Sequence, residues 1–325
     1  MMPAIHRRAL VAAVGVVPQV RISTATAQST FPDRPIRVIV SYGAGGAVDT
    51  LARLVMPRVS LRLGQPIVIE NRPGAGGTVA AAAVARSRPD GYTLLDDGSS
   101  FAVNPSLIPN LPYDPRRDFV PIGRVATIPN VMLLGPGIAV RDLSELIAFA
   151  RENPGRLDCS TTGVGSGQHL GLEMFNRMAG LRINHVTYRD QPSALNDLRA
   201  GRIAMACTTA TSAIPVQGRD GMRVVGHGGM DPIASLPDVP RIADTLPGYR
   251  SEEWQGVYAP AGLPLEIAHR LNRDLMASLA EPMLVERFAA LGAHSSVETV
   301  PEFTEFVDAE IRRAAALITE ANIRL

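Results

Sequence analysis

The tetrapeptide Gly-Ala-Gly-Gly occurs twice in this 325-residue chain, each time after a short β-branched run. The runs span residues 36–40 and 67–69, and each tetrapeptide is followed by a helix-forming segment. Helix N-termini that follow parallel strands expose free N–H groups at the sheet edge where ligands bind. We therefore predict an anion cradle made by two loops, Gly43, Ala44, Gly45, Gly46 and Gly74, Ala75, Gly76, Gly77. The alternative is that both loops are ordinary tight turns.

The alternation of strand and helix patterns continues along the chain and predicts an α/β fold. The pattern begins again after an apolar stretch at 131–134, and a strand at 253–259 is expected to return to the first half. We infer two lobes with two crossings. Residues 31–129 plus 254–325 would form lobe one, and residues 130–253 would form lobe two. Periodicity alone supports the alternation but not the return.

Residues 1–27 have the three parts of a secretory signal peptide. A basic stretch with Arg7 and Arg8 precedes a short apolar run at 9–17, and Ala25-Thr26-Ala27 supplies a cleavage signature. We expect cleavage near Ala27 and a periplasmic location, with both the general and the twin-arginine export routes open. No internal apolar stretch reaches the roughly 18–20 residues of a spanning helix.

A second candidate loop follows a predicted strand near residue 160. This loop contains polar side chains that could close over the far end of a ligand: Thr161, Thr162, Ser166 and Gln168. Capping of the next helix is an equally good role for Ser166. Asp49 lies in the first turn of the first helix, where it could complement the helix dipole or contact a ligand amine or a water.

Several function classes are excluded by composition and motifs. A net charge of +1 gives no electrostatic footprint for nucleic acid. Lysine is absent, which excludes a P-loop and Schiff-base chemistry. Neither glycine loop matches the dinucleotide pattern, because Val48 and Val79 occupy the sixth positions. Two cysteines, Cys159 and Cys207, allow a single bridge at most.

Catalytic signatures are missing as well. The sequence has no G-x-S-x-G and no H-E-x-x-H motif, and its six histidines are scattered. A hydrolase that uses the crevice as an oxyanion hole is the enzyme alternative, but it lacks a nucleophile and base pair. We expect a monomer that is not an enzyme and needs no cofactor and no metal.

Seven segments together resemble the extracytoplasmic receptors of the tripartite tricarboxylate transporters, known as the Bug family. The most specific segment is VIENRPGAGG at 68–77. The others are PDGYTLL at 89–95, YDP at 113–115, HVTY at 185–188, DLRAG at 197–201, PDVP at 237–240 and WQGVYAP at 254–260. The resemblance covers essentially all of the chain after the leader.

The resemblance implies a two-lobed periplasmic-binding-protein-like fold of type II, without catalysis. It implies a small carboxylate as ligand and membrane transporter subunits as partners, and it extends the first ligand loop from Tyr42 to Asp49. Two departures concern ligand identity: the first loop lacks the proline common in the family, and Asp190 stands where a glycine is usual. A sensor that serves a two-component kinase remains an alternative to transport.

Overall fold

The computed structural model describes residues 31–320 and Ile323, so the predicted leader at 1–27 lies outside the described residues. The first part of the chain alternates strand and helix as expected. Its elements are β1 (Ile36–Val40), α1 (Ala47–Leu63), β2 (Ile67–Asn71), α2 (Thr78–Ala85), β3 (Thr93–Gly98), α3 (Ser100–Leu107) and β4 (Phe119–Leu134). Helix α1 ends at Gly64, whose left-handed backbone (φ 72°) suits glycine.

The middle of the chain repeats the alternation with shorter strands. Its elements are α4 (Leu143–Glu152), β5 (Asp158–Thr161), α5 (Gly167–Ala179), β6 (Asn184–Thr187), α6 (Gln191–Arg199), β7 (Met205–Thr209), α7 (Ala210–Ala213), β8 (Arg223–His227) and α8 (Ile242–Thr245). Asp142 starts α4 by accepting a hydrogen bond from the N–H of Glu145. The sequence pattern predicts a helix at about 143–152 that ends before Asn153-Pro154-Gly155, and these bounds are confirmed.

The last part consists of β9 (Glu252–Pro260), α9 (Leu265–Leu279), α10 (Pro282–Ala290) and α11 (Val300–Glu320). Strand β9 lies between β3 and β4 and is antiparallel to both. Helix α11 packs against α3 and β4, and α9 packs against α1. The chain therefore returns to its first half, as inferred from the sequence.

The strands form one curled mixed sheet in the order β2-β1-β3-β9-β4-β7-β5-β6, with β8 also paired to β4. Neighbours within each half, such as β1 with β2 and β5 with β6, are parallel. The long strand β4 joins the halves, since it pairs with β9 up to Pro129 and with β7 from Asn130. The molecule is a two-lobed α/β fold of periplasmic-binding type, whereas the residue bounds assigned above to the two lobes stay a prediction.

The largest apolar cluster of the described residues spans both halves, from Ile36 and Leu51 to Leu198 and Ala206, and smaller clusters lie within each half. One cluster lies within the second half and includes Cys159, Phe175 and Cys207. Both thiols are free and buried, so Cys159 and Cys207 do not form the disulfide bridge that the sequence allowed. Another cluster in the first half stacks Phe101 on Tyr258, with ring centroids 4.1 Å apart. Among the described residues, no helix is both long and apolar enough to cross a bilayer.

Candidate functional site

A cleft that is partly open to solvent runs between the two halves of the sheet. Its walls come from the first glycine loop, from the loop before α5, from the start of α6 and from β9. The predicted site residues among its lining are Tyr42, Gly43, Ala44, Gly46, Thr162, Gln168 and Asp190. The structure thus brings together three segments that are far apart in sequence.

The start of α1 forms the first wall of this cleft. The first hydrogen bond of α1 runs from the N–H of Thr50 to the carbonyl of Gly46. The amides of Ala47 and Val48 precede that bond, so they have no acceptor within the helix. Both residues line the cleft. A helix N-terminus carries about half a positive charge, so this wall suits an anion.

Asp49 fixes the first glycine loop through hydrogen bonds. Its buried carboxylate accepts hydrogen bonds from the Gly45 N–H (2.9 Å), from Arg53 (3.0 Å) and from Asn71 (2.9 Å). Burial acts to raise the pKa of Asp49, but the hydrogen bonds from these three donors lower it overall. The geometry therefore favours a positioning role for Asp49 over the predicted ligand contact. Gly45 turns its amide toward Asp49 and does not line the cleft.

The loop before α5 contributes two side chains to the opposite wall. Thr162 donates a hydrogen bond to Gln168 across 2.9 Å, and both residues line the cleft. Ser166 caps α5 by accepting from the N–H of His169, which was the alternative role for this residue. Thr161 bonds the Nε2 of His185 (2.6 Å) and does not line the cleft.

Two stacked histidines support this loop from behind. The rings of His169 and His185 lie 3.9 Å apart and nearly parallel. His169 Nδ1 accepts the N–H of Gly165. Burial, followed by the neighbouring His169, lowers the pKa of His185 to about 4. His185 is thus neutral at ordinary pH, and the pair fixes the loop through hydrogen bonds.

Asp190 lies at the mouth of the cleft. Its carboxylate caps α6 by accepting from the N–H of Ser193 (2.9 Å), and hydrogen bonding by Ser193 lowers the pKa of Asp190. The neighbouring Arg189 extends into solvent with 97% of its side chain exposed. This mouth therefore carries one charge of each sign.

The second glycine loop does not line the cleft. Gly74, Ala75 and Gly76 are exposed, and Gly77 packs on Asp97, where a Cβ would lie 3.0 Å from the carboxylate. A 3₁₀ turn at Ala75–Gly77 directs the loop toward α3, and Asn104 binds the Gly76 carbonyl (2.8 Å). The two loops therefore do not form a shared cradle, and ligand contact by this loop stays a prediction without support from the geometry.

Strand β9 contributes lining residues that the sequence did not reveal. Trp254 and Gln255 line the cleft beside Ile128. Gln255 also binds the buried Asp96 carboxylate through its amide nitrogen (2.8 and 2.9 Å), while Asp97 accepts from Ser41. Burial raises the pKa of Asp96 well above its usual value. The two adjacent aspartates thus have separate partners, as expected for successive strand residues.

Glu253 is the most unusual of the missed residues. Its buried carboxylate accepts a hydrogen bond from the Ser99 hydroxyl and borders the cleft, and the backbone N–H groups of Gly167 and Gln168 act to lower its pKa. Burial raises the pKa of Glu253 to about 7 despite these bonds. Sequence reasoning predicted a strand here but could not tell which of its faces meets the cleft. The remaining missed lining residues are Gln191, Pro192, Thr209 and Ser212.

The two-lobed sheet and the cleft between its halves define a solute-binding receptor of the periplasmic-binding class. An adipate complex from R. palustris has 31% sequence identity and a TM-score of 0.86, covering 90% of this chain and 99% of that chain. MatC from Rhodopseudomonas palustris with bound malate has 30% identity and a TM-score of 0.82, covering 89% and 100%.

The particular family follows from the sequence matches. The profile of the tripartite tricarboxylate transporter family receptor matches residues 51–323. The protein BugT of Bordetella pertussis is 33% identical over 320 residues, which are 97% of this chain and 98% of BugT. The chain belongs to the tripartite tricarboxylate transporter receptor family, and it is a receptor, not an enzyme. The resemblance drawn from the seven segments is confirmed.

Proposed function

We propose that this protein binds a small carboxylate in the cleft, with one carboxylate group against the start of α1, and delivers it to the membrane subunits of a tripartite transporter. The observation that carries this proposal is the pair of unbonded amides of Ala47 and Val48 at the cleft wall. Two structural neighbours hold adipate and malate, which are both small carboxylates.

The wall around those amides suits an anion that carries an organic chain. Tyr42 donates its hydroxyl hydrogen to Ser100 (2.8 Å), so its ring is held at the cleft. Ile128 and Trp254 add apolar surface beside the ring. A carboxylate would accept from the amides, and its carbon chain would lie on the apolar wall.

Calorimetric titration with a panel of mono-, di- and tricarboxylates tests the binding step. We expect at least one acid to bind and to raise the melting temperature, since a ligand at 100 times its Kd stabilises the native state by about 2.7 kcal/mol. The corresponding primary amides serve as controls, because they lack the charge that the α1 terminus attracts. Equal binding of acid and amide, or no binding of any acid, would contradict the proposal.

Location and partnership need their own measurements. We propose export and removal of residues 1–27, so N-terminal sequencing of protein from a periplasmic fraction should begin at Gln28. For the transport role, deletion of the gene should abolish uptake of the bound acid. Intact uptake together with loss of a transcriptional response to the acid would favour the sensor alternative.

A further inference from the structure

The carboxylate of Glu253 lies where the N-termini of two helices meet. Ser99, which precedes α3, donates through its hydroxyl and its backbone N–H. Gly167 and Gln168, the first residues of α5, approach the carboxylate from the other side, and their backbone N–H groups favour its ionised form. Because α3 and α5 belong to different halves of the sheet, one carboxylate at the edge of the cleft bridges the two halves.

Gly167 and Ser99 pack closely against the Glu253 carboxylate. A Cβ added at Gly167 would lie 2.5 Å from Glu253 Oε1 and 3.0 Å from the Ser99 hydroxyl oxygen. Only a residue without a side chain allows this approach. Glu253 is 9% exposed and Ser99 is 6% exposed, so the contact is shielded from water. The arrangement is a built carboxylate site that the chain fills with its own side chain.

An empty helix N-terminus at this position would attract an external anion. Gln168 and Glu253 both border the cleft, so the start of α5 faces the same space as the start of α1. The cleft therefore has two walls with the same electrostatic character. A dicarboxylate could bridge them, with one carboxylate group at each helix start, if both places were free.

We propose that Glu253 determines ligand specificity: its carboxylate takes the place of a second ligand carboxylate at α5, so the cleft selects acids whose inner end carries no charge. This inference rests on the proposed carboxylate binding at α1. A second ligand charge could still reach Arg189 at the mouth, but that side chain is 97% exposed. An ion pair there would be weak because solvent screens it.

The test compares each dicarboxylate with the monocarboxylate in which a methyl group replaces one carboxylate group: adipate with hexanoate, malate with 3-hydroxybutyrate, and terephthalate with 4-methylbenzoate. Calorimetry at pH 8, where Glu253 with its pKa of about 7 is ionised, gives Kd values for the wild-type protein and for Glu253→Ala, which frees the amides of Gly167 and Gln168. We expect the affinity for the dicarboxylate relative to its matched monocarboxylate to rise tenfold or more in the variant. Glu253→Gln is the matched control, since its amide oxygen still occupies the site and the ratio should change far less.

A ratio that stays within twofold in Glu253→Ala, or that falls, would overturn the inference while leaving carboxylate binding intact. Absence of binding by every acid in both wild-type and variant protein would instead contradict the proposed function. Should Glu253→Ala fail to fold, Glu253→Ser replaces it, because a small hydroxyl side chain suits these polar surroundings better than a methyl group while still leaving α5 free. Thermal melts of each variant report folding independently of binding.

Discussion

At the scale of single residues, the cleft depends on backbone groups more than on charged side chains. The amides of Ala47 and Val48 lie at the start of α1, and Gly43 lines the cleft next to them. A Cβ built on Gly43 meets no atom within 4 Å, and its backbone is outside the left-handed region. An alanine there would fit the fold and place a methyl group in the open space of the cleft.

Gly43→Ala should therefore weaken carboxylate binding about tenfold, or by about 1.4 kcal/mol, while the melting temperature stays the same or rises slightly. The matched control is Gly137→Ala, since Gly137 also has free space for a Cβ and lies outside the cleft lining. Calorimetry gives the affinity of both variants for the acid, and thermal melts give their melting temperatures. Equal affinities in the two variants would show that the first loop does not hold the ligand.

Glu253 gives a pH dependence of stability whose direction can be worked out. Burial raises the pKa of its carboxyl from 4.5 to about 7 in the folded protein. Between these two values the unfolded chain releases the proton that the folded chain keeps, so stability falls as pH rises. The loss is on the order of 3 kcal/mol and is complete above about pH 7.

Glu253→Gln removes this titration and leaves the other acids unchanged. Urea unfolding at pH 4.5, 6 and 7.5 should show the wild-type protein losing free energy of unfolding relative to the variant across that window. The buried Asp97, whose pKa is raised to about 6 by burial, affects both proteins equally and cancels. Parallel stability curves for the two proteins would mean that the Glu253 pKa is not raised.

At the scale of elements, sequence patterns predicted those segments whose apolar periodicity is regular. The bounds of α4 were predicted in full, whereas α3 was missed because it is short and contains Pro105, and its polar Ser100 and Asn104 are buried. Only residues 131–134 of β4 were predicted. Two prolines interrupt the strand pattern in the sequence, and in the structure Pro121 lies at a register shift and Pro129 near the change of partner strands.

Sequence patterns also predicted only part of the candidate site. Both glycine loops follow parallel strands, so sequence alone treated them alike. Their directions differ because Asn71 and Asp49 hold the first loop at the cleft, whereas Asn104 holds the second loop toward α3. Two of these three hydrogen bonds join residues that are 28 or 29 positions apart in the sequence. A local sequence pattern therefore cannot predict them.

At the scale of the whole molecule, the halves of the sheet meet across the cleft, and Glu253 already connects α3 to α5. A ligand that contacts both walls would favour the closed arrangement over an open one. We therefore expect small-angle scattering to show a smaller radius of gyration when a ligand acid is added, approaching the value of about 20 Å for a compact chain of this length. Gly43→Ala is the control at an acid concentration about three times the wild-type Kd, where tenfold weaker binding leaves about a quarter of its clefts occupied against about three quarters in the wild-type protein. If calorimetry confirms saturation and the radius of the wild-type protein does not change, ligand binding does not close the lobes, and a transporter would have to recognise the ligand-bound receptor by another feature.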